Sequence, residues 1–257
     1  MKIFRSPRPA ISRRPLRQPL FRLFSFGLLS AILPALGSAA QILDSRPSLS
    51  TIIDLTDFGP LAADELFDIR SGNPLVPAYV ATAQTTNTQN DNSAQCTVSI
   101  NATLDAAALK FGATGSARFD AFMNFDANDI ASGAFVDAGG TSSYSIQFRI
   151  AGSGKVRLGG AILAAGPEGN RSSLRIERLD GSGVALWNRE VTDGAQTVNE
   201  EVSLTQGDYL FVASASSGNN FFNKAGSLVL TSSASYDFSA EVIETAPPPK
   251  GKGKPRR

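Results

Sequence analysis

Ser143-Tyr144-Ser145-Ile146-Gln147-Phe148-Arg149-Ile150 puts an apolar side chain at every even position and a polar one at every odd position. A helix would scatter those four apolar residues around its surface, whereas a strand gathers them on one face. The same alternation recurs in Ser235–Val242, in Cys96–Leu104 and in Leu174–Glu177. Each such strand has one face toward a core and one toward water, as in antiparallel sheets. Tyr209-Leu210-Phe211-Val212-Ala213 is apolar on both faces and reads as a central strand, or one whose outer face is covered.

The turn signals fit the same picture. Asp180-Gly181-Ser182-Gly183 lies between Leu174–Leu179 and Val184–Asn188 and predicts a hairpin. Gly207-Asp208 leads into Tyr209, and Ser217-Gly218-Asn219-Asn220 is expected to end that strand before the next begins near Ser227. Many short strands and no long helical period predict an all-β chain, an antiparallel β-sandwich or jelly roll over 96–244. Residues 41–95 are expected to be an irregular segment packed on the sandwich. Within it, Ala62–Phe67 is a candidate short helix and Thr82–Ser93, rich in Gln, Asn and Thr, reads as a loop. The Ala-rich Asp105–Lys110 is a candidate helical turn.

Residues 1–40 carry seven Lys/Arg and no acid, then the apolar run Leu23–Leu36, then Gly37-Ser38-Ala39-Ala40. A positive start, a short apolar core and a small-x-small exit are the parts of a secretory signal peptide, with Ser38 and Ala40 in the two small positions. Cleavage is expected between Ala40 and Gln41. A run of about fourteen residues reaches about 21 Å as a helix, short of the roughly 30 Å hydrocarbon core, which argues against an anchor. No later stretch is apolar enough to span, so the processed chain is expected to be secreted, with the periplasm as the alternative destination.

At the other end, 245–257 combines a Pro run with Lys250, Lys252, Lys254, Arg256 and Arg257, a composition that buries nothing and predicts a disordered basic tail. Between leader and tail, 41–247 holds 12 basic residues against all 23 acids, a net charge of −11. A body of that sign repels phosphate backbones and anionic membrane, so nucleic acid is not an expected partner.

Composition also limits chemistry. The 257 residues contain no His and one Cys. Ser-His-Asp and Cys-His catalysis, His metal ligation and an internal disulfide are therefore excluded. Asp126, Asn128 and Asp129, with Asp137 nearby, form the densest set of oxygen ligands. Asn and Asp are also the commonest turn residues, so a plain turn is preferred and a structural Ca²⁺ is the alternative. No other cofactor is expected. Trp187 is the only Trp and the one candidate ring for stacking a sugar; it and Leu186 lie on opposite faces of one strand, and packing in the core or rim is the preferred reading. The acids supply many chance carboxylate pairs, but no motif selects two of them for glycoside hydrolysis. Cys96 falls on the apolar side of its strand and reads as a small buried hydrophobe.

Gly207-Asp208-Tyr209-Leu210-Phe211-Val212-Ala213-Ser214-Ala215, followed by Ala234-Ser235-Tyr236-Asp237-Phe238-Ser239, resembles the last strands of exported bacterial proteins of the PEP-CTERM cargo type. The segment Tyr144–Leu163 resembles their middle strands. The resemblance implies a β-sandwich associated with extracellular polymer and biofilm matrix, and it implies no catalytic residue. After Val242 there is no Pro-Glu-Pro and no terminal apolar helix, so free secretion is expected in place of anchoring.

The expectation is an exported, non-enzymatic β-sandwich with a structural or binding role at the cell surface or in the extracellular matrix, its partners polysaccharide or other matrix components. A carbohydrate-binding module is the first alternative, and a carboxylate-dependent glycoside hydrolase the second.

Overall fold

The computed structural model describes residues 40–56, 64–72, 75–89, 91–125, 135–166, 169–222 and 226–245. The expected leader (Ala40 apart), the candidate site at Asp126, Asn128 and Asp129, and the expected basic tail beyond Thr245 lie outside these residues. The described strands are β1 (Gln41–Thr56), β2 (Asp64–Ser71), β3 (Ala78–Gln89), β4 (Asn92–Asp105), β5 (Lys110–Phe125), β6 (Phe135–Ile150), β7 (Ser153–Ala165), β8 (Arg171–Arg178), β9 (Ala185–Val191), β10 (Gly194–Leu204), β11 (Gly207–Phe222) and β12 (Gly226–Thr245). They form two six-stranded sheets. The first has the order β2-β1-β6-β11-β8-β9 and the second β10-β7-β12-β5-β4-β3, every pairing antiparallel. From β5 onward most connections change sheet, and the two sheets pack face to face as a β-sandwich. Among the described residues no helix is long and apolar enough to cross a membrane.

The alternation sets the inner faces. Tyr144, Ile146, Phe148 and Ile150 of β6 are buried, as are Cys96 to Leu104 on the even positions of β4 and Tyr236 to Val242 on those of β12. One end of the interior is aromatic. Phe238 lies 4.7 Å from Phe211 and 6.2 Å from Phe111, and Phe148 stacks on Tyr209 at 5.6 Å. Offset and edge-on geometries of this kind add to simple burial. A second, smaller cluster at the other end contains Ile53, Leu55, Phe119, Met123 and Val136.

A narrow waist of small residues crosses the interior. Ser142 Oγ of β6 donates to the Ser99 carbonyl of β4 at 2.8 Å and lies 3.2 Å from Tyr236 Oη of β12. Ser217 of β11 bonds Ser232 of β12 at 2.7 Å, Thr51 of β1 bonds Thr85 of β3 at 2.5 Å, and Ser172 of β8 donates to the Ser235 carbonyl at 2.8 Å. Every one of these bonds runs from one sheet to the other. Gly140 makes the approach close: a Cβ there would lie 2.5 Å from Val98 Cγ1 and 2.6 Å from Cys96 Sγ. A buried hydroxyl without a partner is costly, so these positions tolerate Ser and Thr only because the facing sheet supplies one.

Three segments differ from the sequence expectation. The described residues of 41–95 form β1, β2, β3 and the start of β4, with β1 pairing β2 on one side and β6 on the other. Of the candidate helix Ala62–Phe67, the described residues from Asp64 onward belong to β2, and the described residues of Thr82–Ser93 belong to the paired strands β3 and β4. The inward positions Thr51, Thr85 and Asn87 are polar, which hides the alternation. Ser217–Asn220 does not end a strand. It lies inside β11 and pairs with Gly140–Asp137, where small residues on both strands let the backbones meet. Asp105–Lys110 forms a turn in which Asp105 Oδ1 accepts from the Ala108 N–H, not a helical turn.

Candidate functional site

Strand register assembles the candidate site on the outer face of the second sheet. Asn199, Gly159, Ser239, Gly112 and Thr103 sit side by side on β10, β7, β12, β5 and β4. The next row along the strands holds Ala161, Asp237, Thr114 and Asn101, and the row on the other side holds Glu201, Arg157, Glu241, Lys110 and Asp105. Gly112 and Gly159 flank Ser239, so the middle row lacks tall side chains and the outer rows stand above it. The result is a shallow trough of about 680 Å³. It continues past Thr114 and Asp237 into a second depression of about 420 Å³ over Gly115, Ser116 and Ile162. Five strands at about 4.8 Å spacing make the trough about 19 Å wide across the sheet.

Glycine is required beneath this surface. Gly160 has φ +146, and a Cβ on it would lie 2.0 Å from the Asp237 carbonyl oxygen. At Gly112 a Cβ would lie 2.7 Å from the Phe238 carbonyl oxygen. Both glycines adjoin β12, and their lack of side chains lets the neighbouring backbone of β12 pass this close.

The two sides of the trough differ in charge chemistry. On one, the ions neutralise each other: Lys110 and Arg157 each reach Glu241 at 3.5 Å, Arg157 reaches Glu201 at 3.1 Å and Lys155 reaches Glu201 at 2.5 Å. The hydrogen bonds from Lys155 and Arg157 hold the Glu201 carboxyl below the usual carboxylate range. On the other side and along the floor, Asn101, Thr114, Asn199, Asp237 and Ser239 make no side-chain hydrogen bond within the protein among the described residues. Their amides and hydroxyls are both donors and acceptors, and all point to solvent.

Trp187 is the inward member of its pair. It is 9% exposed, whereas Leu186 is 52% exposed. Its indole N–H donates to Glu200 Oε2 at 3.0 Å, and the Arg189 guanidinium sits 5.3 Å from the ring centroid. The ring packs at the end of the core, away from the trough, and an amphipathic cation covers it where a sugar would stack. Asp126, Asn128 and Asp129 lie outside the described residues. Their neighbour Asp137 is described; burial raises its carboxyl above the usual range. Among the described residues no group of three His, Cys, Asp or Glu is placed to hold a metal ion. Cys96 is buried, and burial pushes its thiol up to about 12.

The trough residues escape a reading of the sequence because they lie on five strands up to 138 positions apart, from Asn101 to Ser239, and only pairing register unites them. The Gly159-Gly160 pair inside an otherwise alternating strand is the one local signal of a close backbone approach there.

No family model matches the chain, and no curated protein matches it. Among solved structures, it is similar to the carbohydrate-binding module TmCBM61 in complex with beta-1,4-galactotriose. The match has 17% identity and a TM-score of 0.22, and covers 43% of this chain and 71% of that one. A likeness at that score says nothing about ligand or activity.

Proposed function

We propose that the protein is an exported, non-enzymatic β-sandwich that binds neutral polysaccharide along the trough on its second sheet, at the cell surface or in the surrounding matrix. The carrying observation is the convergence of Asn101, Thr114, Asn199, Asp237 and Ser239 in one open depression, their side chains unbonded within the protein among the described residues. A hydroxylated polymer offers alternating donors and acceptors, and these side chains offer the complement. The trough is shallow and open at its sides, which suits a long chain passing through it and not a small molecule enclosed within it.

Charge favours a neutral polymer over a polyanion. Lys110 and Arg157 are occupied by Glu201 and Glu241, and a polyanion would have to displace those carboxylates. The acidic body adds a repulsive field. The structural role in a matrix follows from the same surface, because a protein that grips polymer without cutting it can crosslink or coat it.

The test is affinity electrophoresis of the exported protein through gels containing soluble neutral glycans, with pull-down on insoluble ones. Retardation by at least one glycan, lost in the Asn101→Ala/Asn199→Ala double variant and kept in Leu186→Ala, is the expected result. Binding that survives the double variant would place the ligand elsewhere. No retention on any glycan would leave the matrix role to protein packing.

A further inference from the structure

We infer that leader removal cuts the Ala39–Ala40 bond, one residue earlier than the Ser38-x-Ala40 spacing favours, and that the new α-ammonium of Ala40 is held by Glu244. Ala40 is 9% exposed and belongs to the larger core cluster. Its backbone nitrogen lies 2.9 Å from Glu244 Oε2 on β12, and the other oxygen of that carboxylate accepts the Ala151 N–H at 3.1 Å. Glu244 thus ties the start of β1, in the first sheet, to the end of β12, in the second. A cut after Ala40 would discard a residue already packed in the interior and would take away one of the two donors that Glu244 serves. A cut before it keeps both.

The sequence accommodates the earlier cut. Gly37 and Ala39 stand at the third and first positions before the Ala39–Ala40 bond, and both are small, as an export-coupled peptidase requires. Hydrolysis adds one water across the amide. Ala39 departs with the new carboxylate, and Ala40 keeps the nitrogen, which takes up a proton as an ammonium. The donor facing Glu244 then changes from a neutral N–H to a cation without moving. Charge-assisted hydrogen bonds are roughly twice as strong as neutral ones. Processing therefore tightens the fold it releases: the exported form gains an inter-sheet ion pair that the precursor lacks.

This inference rests on the export reading, and one experiment separates the two. The full chain is expressed in a bacterium with a general secretory system, and the product is analysed by intact mass and by sequencing from its first residue. A start at Ala40 is expected. A start at Gln41, or at its cyclised form, overturns the cut position alone; a leader left uncut overturns the export reading as well. The latch is tested on the exported Glu244→Gln variant. Its melting temperature should lie several degrees below wild type at about pH 6, and the gap should narrow at about pH 10, where an α-amine loses its charge. A gap that is absent, or equal at both pH values, overturns the ion pair.

Discussion

Trp187 and Glu200 join the two sheets at one edge of the sandwich: the indole N–H on β9 meets Glu200 Oε2 on β10 across 3.0 Å. Arg189 completes the clasp with two bonds of 2.7 Å to the same carboxylate while lying over the Trp ring. The only Trp of the chain therefore closes the core at the edge where the two sheets meet. Trp187→Ala should lower unfolding free energy by about 3 kcal/mol, the low end for a buried aromatic because the site lies at the rim. Urea denaturation followed by far-UV dichroism measures it; a loss under about 1 kcal/mol would mean the rim is already loose.

Glu200 gives the clasp a pH dependence. Hydrogen bonds from Arg189 and then Trp187 lower its carboxyl pKa from the ordinary 4.5. A carboxylate whose folded pKa is depressed binds protons more weakly folded than unfolded. Its contribution is therefore complete above the unfolded value and disappears as pH falls through the folded one. Melting temperature should fall as pH drops below about 4.5, and Glu200→Gln should flatten that part of the curve. Parallel curves for the two proteins would remove Glu200 from the account.

Gly140 tests the waist. A methyl group there meets Val98 and Cys96 well inside contact distance. Gly140→Ala should destabilise the fold by about 2 kcal/mol through overpacking, read as a lower urea midpoint. The companion variant Gly140→Ala/Val98→Ala removes one of the colliding groups and should recover part of the loss; no recovery would show that the strain lies elsewhere.

Cys96 should be inert. Its sulfur is buried and its thiol is held up at about 12, so almost no thiolate exists at neutral pH. A thiol-reactive chromogen should label the folded protein at well under a hundredth of the rate seen in denaturant. Rapid labelling of the native state would expose an opening of the smaller core cluster.

The trough makes a second claim beyond binding. If the protein grips polymer without cutting it, prolonged incubation with a bound glycan releases no new reducing ends. Release that is lost in Asp237→Asn would convert the trough into a hydrolytic cleft and restore the carboxylate-dependent alternative.

The sequence exposes those strands whose inner faces are oily. Tyr144, Ile146, Phe148 and Ile150 announce β6, and Leu174 and Ile176 announce β8, because hydropathy and geometry share the same period. It conceals β1 and β3, whose inner positions Ser45, Thr51, Thr85 and Asn87 are polar. Nothing local distinguishes a hydroxyl that faces water from one that faces another hydroxyl across a sandwich. The Trp187 clasp is half legible: alternation puts Trp187 and Leu186 on opposite faces, but the choice of Trp187 as the inward one, and of Glu200 and Arg189 as its partners, comes only with the structure. The trough is legible only after register is known, since it is built from glycines and small polar residues that individually resemble any exposed strand.

The inter-sheet hydroxyl bonds have one further consequence. Oily surfaces slide over one another with little preference for position, but Ser142 with Tyr236, Ser217 with Ser232 and Thr51 with Thr85 each match at a single offset. Displacing one sheet by a residue would strand all three pairs at once. The waist works as an alignment key that selects one docking of two otherwise forgiving layers, and the shape of the outer surface is inherited from that choice.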